Sequence, residues 1–313
     1  VTTNPAEPPQ HPGEHGAPVQ PVCARHPDRP TGLTCVRCGR PACPECLREA
    51  SVGYQCVDCV NEGQRTQRRP TTVAGSRSLR RRMIAVPVLI VINVGVFVLT
   101  AVQAKSITNN TASDAFEKGA LFPALVDTGE WWRLVTSGFL HFGSLGGYGP
   151  VHLIFNMFAL YVLGRDLEPL LGWARFSAVY LLALLGGSAA VMLFSSPYTF
   201  AAGASGAIFG LFGGIAVVAY RLKLSLTPVL SLLAVNIFLS VALPGISLAA
   251  HLGGLVTGAI ATAGIVYAPR ERRNLVQGGV VVLVFLLVVA LIVVRIGTLD
   301  CTKAAFDSAF CTN

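Results

Sequence analysis

The stretch AAGASGAIFG (residues 201–210) sets one serine in a run of small residues, inside sequence apolar enough for a lipid bilayer. Small residues at helical spacing let membrane helices pack closely, and a lone serine among them is ordinarily packing material. Held beside a base, the same serine is a nucleophile. The choice between the two for Ser205 turns on what the rest of the chain brings to its depth.

The 313 residues are 52% hydrophobic and 13% charged, with a mean hydropathy of +0.58. Soluble domains carry about 25% charged residues, so most of this chain does not face water. Seven arginines and no acid lie between Arg65 and Arg82, directly before the first apolar run. A basic block against a hydrophobic segment marks a cytoplasmic flank. Contact with the lipid bilayer is therefore expected from this run, and nucleic acid is not expected as a partner. Seven apolar stretches follow, at 83–104, 151–164, 174–194, 203–220, 226–243, 246–268 and 278–295. A spanning helix needs about 20 residues; the second stretch is short and has room to extend to Pro150 or Arg165. The expected fold class is an all-α polytopic membrane protein with a small N-terminal metal-binding domain.

The loops supply a topology. With Arg80–Arg82 on the cytoplasmic side, alternation puts GRDLEPLLGWAR, YRLK and PRERR there, each with Arg or Lys, whereas SSPYTF and LPG have neither. The positive-inside rule then predicts a multi-pass cell-membrane protein with a cytoplasmic N-terminus and an extracellular C-terminus. The first external segment, 105–150, is long and amphipathic, with ALFPALV, EWWRLVTSGFLHF and a glycine-rich end. Short helices in the outer interface are expected there, with Trp131 and Trp132 at headgroup level. Residues 1–20, polar and rich in Pro and Gly, read as a disordered tail without the pattern of a secretory signal peptide.

Seven of the nine cysteines lie between positions 23 and 59, in CARH, CVRC, CPEC and CVDC. A two-residue gap brings paired ligands onto one tetrahedral ion, and two pairs close a structural site. Cys23, His26, Cys35, Cys38, Cys43, Cys46, Cys56 and Cys59 therefore predict two structural zinc ions. A disulfide framework is disfavoured on the cytoplasmic side. Cross-braced and sequential pairings of the four motifs both remain open. The ligand order resembles a B-box zinc finger, a kind of module that binds a partner or orders its neighbours, so a cytoplasmic protein partner is a candidate. Cys301 and Cys311, beyond the last span on the exported side, are placed to form a disulfide.

Polar groups within apolar spans are costly and usually face a cavity or a partner. Ser205 stands near the start of the fourth span and His251, in AAHLGG, near the start of the sixth. His152 and Asn156, in VHLIFNM, open the second, and their i, i+4 spacing puts both on one helix face. All three spans begin outside, so four polar groups from three helices share one side and one depth. Gly206, Gly210 and Gly214 form a stripe on the fourth helix, and Gly254 and Gly258 form G-x-x-x-G on the sixth. Such stripes allow the approach that would bring Ser205 to His251. The imidazole could activate the hydroxyl as a base. The Ser205 N–H at a helix N-terminus, with His152 and Asn156, could receive an oxyanion. No acid is placed to complete a triad, so a Ser–His dyad is expected, its histidine oriented by packing.

Over about residues 83–268 these motifs resemble the rhomboid family of intramembrane serine proteases. The resemblance rests on Trp132–Arg133, His152-x-x-x-Asn156, Gly203-x-Ser205-Gly206, and His251 followed by Gly254 and Gly258. It implies a six-helix rhomboid core, a Ser205 nucleophile, a His251 base, and an oxyanion site from His152, Asn156 and the Ser205 N–H. It also implies transmembrane protein substrates cut in or near a locally unstable helix, and no cofactor for catalysis. The presence of both Ser205 and His251 argues against an inactive relative. Three features depart from the family pattern. FGSLGGYGPV between His141 and His152 is longer than the usual connection. Phe209 stands where a tyrosine that stacks on the histidine is common. A zinc finger and a seventh span are added to the core, a combination that resembles actinobacterial rhomboids.

The expected organisation is a tail (1–20), a zinc module (21–60), a basic linker (61–82), the protease core (83–268), and a seventh helix with an exported tail (269–313). The rival reading is a non-catalytic membrane adaptor that binds client helices and recruits a partner through its zinc module. A solute transporter is disfavoured, because the polar cluster lies near one surface and not at the bilayer midplane.

Overall fold

The computed structural model describes residues 20–66, 72–75, 83–143, 150–243, 245–303 and 309–311. The expected tail, the arginines from Arg68 to Arg82 and the glycine-rich end of the first external segment lie outside the described residues. The chain forms two compact units, Val1–Arg69 and Pro70–Asn313.

The first unit holds two antiparallel ribbons and one helix. β1 (Val22–Cys23) pairs with β2 (His26–Pro30), and β3 (Leu47–Glu49) pairs with β4 (Tyr54–Cys56), which leads into α1 (Val57–Thr66). Its buried cluster consists of Cys23, Cys35, Cys43, Cys46, Cys56 and Cys59 with only Ala42 and Leu47 added. A domain this small buries too little apolar surface to fold without staples. Here the would-be staples are the core.

The second unit is helical, with α2 (Ala85–Gln103), the short α3 (Asp114–Gly119), α4 (Pro123–Asp127) and α5 (Arg133–Thr136), and then α6 (Val151–Leu171), α7 (Trp173–Phe194), α8 (Ser205–Arg221), α9 (Thr227–Ala242), α10 (Leu248–Val266) and α11 (Arg273–Ile296). A terminal hairpin of β5 (Cys301–Lys303) and β6 (Ala309–Cys311) is closed by the Cys301–Cys311 disulfide. Among the described residues four helices, α2, α7, α10 and α11, are long and apolar enough to cross a membrane. α8 and α9 are apolar but shorter, with 17 and 16 residues. The 21-residue α6 carries Arg165, Asp166 and Glu168 near its end.

Three of the shifts in expected boundaries have a visible physical cause. The second span runs on from Gly164 to Leu171, because its polar last turns serve a neighbour. The Glu168 carboxylate accepts the N–H groups of Ile84, Ala85 and Val86 at 2.6, 2.9 and 2.9 Å. These donors open α2 and have no intrahelical acceptor. The last helix starts at Arg273, before the apolar stretch, where Gln277 donates to the carbonyls of Ile265 and Ala74. The fourth helix starts at Ser205 and not at Gly203, whose φ of +139° lies outside helical geometry.

That late start shortens α8 to about 26 Å, against about 30 Å of hydrocarbon. Non-helical backbone at membrane depth must find partners within the protein. Ala201 exchanges both backbone hydrogen bonds with Leu121, at 2.9 and 3.0 Å, and Gly203 N–H donates to Ser137 at 2.9 Å. The first external segment therefore supports the approach to α8. Buried Arg133 holds that segment together, pairing with Glu130 and donating to the carbonyls of Glu117 and Ala120 at 2.7 and 2.8 Å.

α7, α8 and α10 form the centre. A Cβ on Gly254 would overlap the Gly206 carbonyl oxygen, and one on Gly258 would overlap the Gly210 backbone. A Cβ on Gly187 would stand 2.8 Å from the Ala250 carbonyl oxygen. α9 differs from these helices, for Ser240 is its one buried residue.

Glu168→Ala removes the acceptor of three N–H groups together. It is expected to lower stability by about 2–3 kcal/mol, seen as earlier thermal unfolding in detergent, with Glu168→Gln intermediate. Gly254→Ala forces the α8 and α10 backbones apart and is expected to cost about 1–3 kcal/mol. An unchanged unfolding midpoint in either variant would remove that contact from the stability of the fold.

Candidate active site and metal clusters

Ser205 is the first residue of α8, so its N–H has no intrahelical acceptor. His152 lies in the first turn of α6 and Asn156 one turn further on. His251 lies in the first turn of α10, which is capped by the Ser247 hydroxyl accepting from Ala250 N–H at 3.2 Å. The four helix-borne groups thus gather at three helix N-termini.

The glycine contacts fix how α10 faces α8. With no side chain between Gly206 and Gly254, His251 is carried over the α8 face that bears Ser205 and Phe209. The Phe209 ring stacks on the His251 imidazole, with centroids 3.9 Å apart and planes 12° apart. Ser205 is one turn before Phe209 on the same face. Among the described residues no hydrogen bond joins Ser205 Oγ to His251. Catalytic hydrogen bonds are often long in unliganded sites and tighten only with substrate.

His152 Nδ1 accepts the Phe142 N–H at 3.3 Å. A ring nitrogen that accepts carries no proton, so the neutral imidazole keeps its hydrogen on Nε2. A Cβ on Gly203 would stand 3.0 Å from His152 Nε2 and 3.6 Å from Ser205 Oγ. The Nε2 edge and the hydroxyl therefore border one space, which the missing side chain leaves open. Asn156 Nδ2 donates to the His152 carbonyl at 2.8 Å, and the amide retains a second N–H. A separate cavity of about 910 Å³ lies between α7, α10 and α11. Ser205, His152 and His251 do not line it.

Three participants escaped the sequence reading. Ser240 Oγ lies 2.6 Å from His251 Nδ1; the clue was a polar residue near the outer end of the fifth span, one turn after Asn236. Phe142 acts through its backbone, which no side-chain pattern reports. His141 is buried with its ring centroid 5.2 Å from that of His152. Burial pushes its pKa down to about 3, helped by His152, so it is neutral at physiological pH.

In the N-terminal unit, Cys23, His26, Cys43 and Cys46 form one cluster, and Cys35, Cys38, Cys56 and Cys59 form another. The ligand atoms of each lie within 4.8 Å of one another, so each set could hold a metal ion. The pairing is cross-braced, which motif spacing left open. His26 Nδ1 lies 3.8 Å from Cys23 Sγ and 3.4 Å from Cys43 and Cys46 Sγ. Cys38 and Cys56 Sγ are 3.8 Å apart. Four donors about 2.0–2.3 Å from a central ion stand about 3.5–3.8 Å from one another, so these distances are edges of a tetrahedron.

The thiol chemistry also calls for a cation. The Cys43 N–H, with those of Arg25 and His26, brings the Cys23 thiol down to about 6. Burial opposes ionisation of Cys35, but the N–H groups of Cys56, Cys38 and Arg37 still bring it to about 6. Cys59 is pushed up to about 12, first by its contact with Cys38 and then by burial. Burial and neighbouring Cys43 and Cys23 push Cys46 up to about 11. Without a shared cation the sulfurs of one cluster cannot all be thiolates.

Comparison with known proteins agrees with this architecture. Residues 128–269 match the Rhomboid domain, a span containing Ser205, His251, His152 and Asn156. The chain is 38% identical over 163 residues to the rhomboid protease GluP of Bacillus subtilis, covering 50% of this chain and 30% of GluP. It is 36% identical over 156 residues to the mitochondrial RHOMBOID-like protein 6 of Arabidopsis thaliana, covering 47% and 48% of the two chains. The chain thus spans between about a third and a half of the length of these two relatives. With the rhomboid relative YdcA of Bacillus subtilis it shares 35% identity over 154 residues, 47% of this chain and 73% of YdcA. A match at this identity over most of such a relative means that the chain belongs to the rhomboid family.

Proposed function

We propose that the chain is an intramembrane serine endopeptidase acting through a Ser205–His251 dyad. The observation that carries this reading is the Phe209–His251 stack, which holds the imidazole over the helix face bearing Ser205. The neighbouring His152 edge and the free Ser205 N–H add donors where an oxyanion would form. The names of relatives such as GluP support the reaction class.

In this mechanism His251 Nε2 takes the Ser205 Oγ proton as the oxygen attacks the scissile carbonyl carbon. Charge developing on the carbonyl oxygen is met by the Ser205 N–H, His152 Nε2–H and the free Asn156 N–H. The imidazolium returns its proton to the leaving amine. In the second half His251 takes a proton from water as that water attacks the acyl carbon, and returns it to Ser205 Oγ as the ester bond breaks. Metal and cofactor have no part in these steps. The substrates are transmembrane proteins, cut in or near a spanning segment whose helix is locally unstable.

The two N-terminal clusters hold structural zinc, one ion each, with no coordination position left for chemistry. The expected boundaries stand as part of the same proposal, with the module at 21–60 and the core at 83–268. The arginine-bearing loops support a cytoplasmic N-terminus, and the Cys301–Cys311 disulfide suits an exported C-terminus. On that side of the membrane the module would dock a cytoplasmic protein partner.

Ser205→Ala and His251→Ala are each expected to lower cleavage of a reconstituted transmembrane substrate by at least about 10³-fold, with unfolding midpoints close to wild type. Fluorophosphonate labelling should mark the wild type and be absent from Ser205→Ala. Cleavage surviving in purified Ser205→Ala would refute the dyad, and a wild type inert in both assays would favour the adaptor reading. Elemental analysis should find about two zinc ions per chain, falling by one in Cys23→Ser and by one in Cys35→Ser. A metal content unchanged in both variants would dismiss these ligand sets.

A further inference from the structure

We propose that Ser240, on α9, is a positioning residue that holds the His251 imidazole in the tautomer a general base requires. The inference rests on the Ser205–His251 reading, and its test separates the two.

The count of protons around Ser240 decides the tautomer. Ser240 Oγ makes two short contacts, each of 2.6 Å, to the Asn236 carbonyl oxygen and to His251 Nδ1. Oxygens at that separation need a hydrogen between them, and a carbonyl oxygen has none to give. The single Ser240 proton is therefore committed to Asn236. A proton must also lie between Ser240 Oγ and His251 Nδ1, and only the ring can supply it. His251 thus donates from Nδ1, and the neutral imidazole is left with its lone pair on Nε2. That is the nitrogen free to receive the Ser205 proton.

The surroundings give this bond unusual weight. Phe209 covers the flat face of the ring and fixes its plane but not its protonation. Among the described residues, Ser240 is the hydrogen-bonding partner of the His251 ring. Among the described residues no carboxylate takes the position that an acid fills in a triad. The hydroxyl supplies the orienting acceptor, and its own orientation is locked by the helix that carries it. Ser240 is also the one buried residue of α9, so the burial of that helix coincides with the contact to the base. As the imidazolium forms, Nδ1–H and Ser240 Oγ stay paired and no buried donor is left unmatched.

The test is kinetic and spectroscopic, on the full chain in detergent or proteoliposomes. Ser240→Ala is expected to lower kcat by about 10- to 100-fold while KM changes less than about twofold, since the contact serves the chemical step and not substrate binding. Ser240→Thr keeps the hydroxyl and should recover most of the rate. ¹⁵N spectra of the His251 ring should show the proton on Nδ1 in the wild type and a mixture of tautomers in Ser240→Ala. Unfolding midpoints of both variants separate misfolding from mispositioning. If Ser240→Ala keeps the wild-type kcat, or raises only KM, or leaves the His251 tautomer unchanged, the positioning role is overturned. The dyad reading is judged apart from it, by Ser205→Ala assayed in parallel. An inactive Ser205→Ala beside a fully active Ser240→Ala would keep the dyad and discard this proposal.

Discussion

Everything at the candidate site depends on two helix backbones touching. In lipid there is no gain from hiding apolar surface, so helices associate through close packing and polar contacts. α8 and α10 meet where Gly206 faces Gly254 and Gly210 faces Gly258, with no room for a methyl group on Gly210, Gly254 or Gly258. Side chains at those positions would move the helices apart, and the Phe209–His251 stack could not survive such a separation. The glycines thus act on the chemistry without touching it. The same absence of side chains at Gly203 leaves open the space that His152 and Ser205 both border.

A second constraint follows from the depth of Ser205. α8 begins at Ser205, and the chain leading to it, through Gly203, is not helical. Its backbone groups have to be satisfied without bulk water. The first external segment does this through Leu121 and Ser137, and Arg133 gives that segment its rigidity. Phe142, from the end of the same segment, sets the His152 tautomer. The external segment is therefore structural support for the site as well as its surroundings.

Much of this was legible in the sequence because lipid imposes a simple code. Apolar runs of the right length located the seven long helices described in the second unit, and the polar residues singled out within them, Ser205, His251, His152 and Asn156, lie at three helix N-termini. Boundaries were less legible where polar residues belong to a helix for a tertiary reason. Glu168 extends α6 because it caps α2, and Gln277 extends α11 because it binds carbonyls of Ala74 and Ile265. Neither partner lies nearby in the chain, so no local pattern announces it. The cysteine spacing singled out eight candidate ligands but was silent on which pairs come together, since cross-bracing is a property of how the ribbons fold. Ser240 was hidden for a related reason. A serine in an apolar helix has many uses, and only its distance to His251 singled it out.

α9 touches the rest of the protein with unusual economy. Leu230, Leu232, Val235, Phe238, Leu239 and Val241 are all exposed, while Ser240 is buried. In a bilayer those exposed side chains meet acyl chains, which distinguish poorly among Leu, Val and Phe. Apart from Val229 and Leu233, which pack against the core, the helix is therefore open to substitution among apolar residues, so long as length and hydropathy are kept. Its close contacts thus narrow to a few positions, where Ser240 meets His251 and Val229 and Leu233 meet the core.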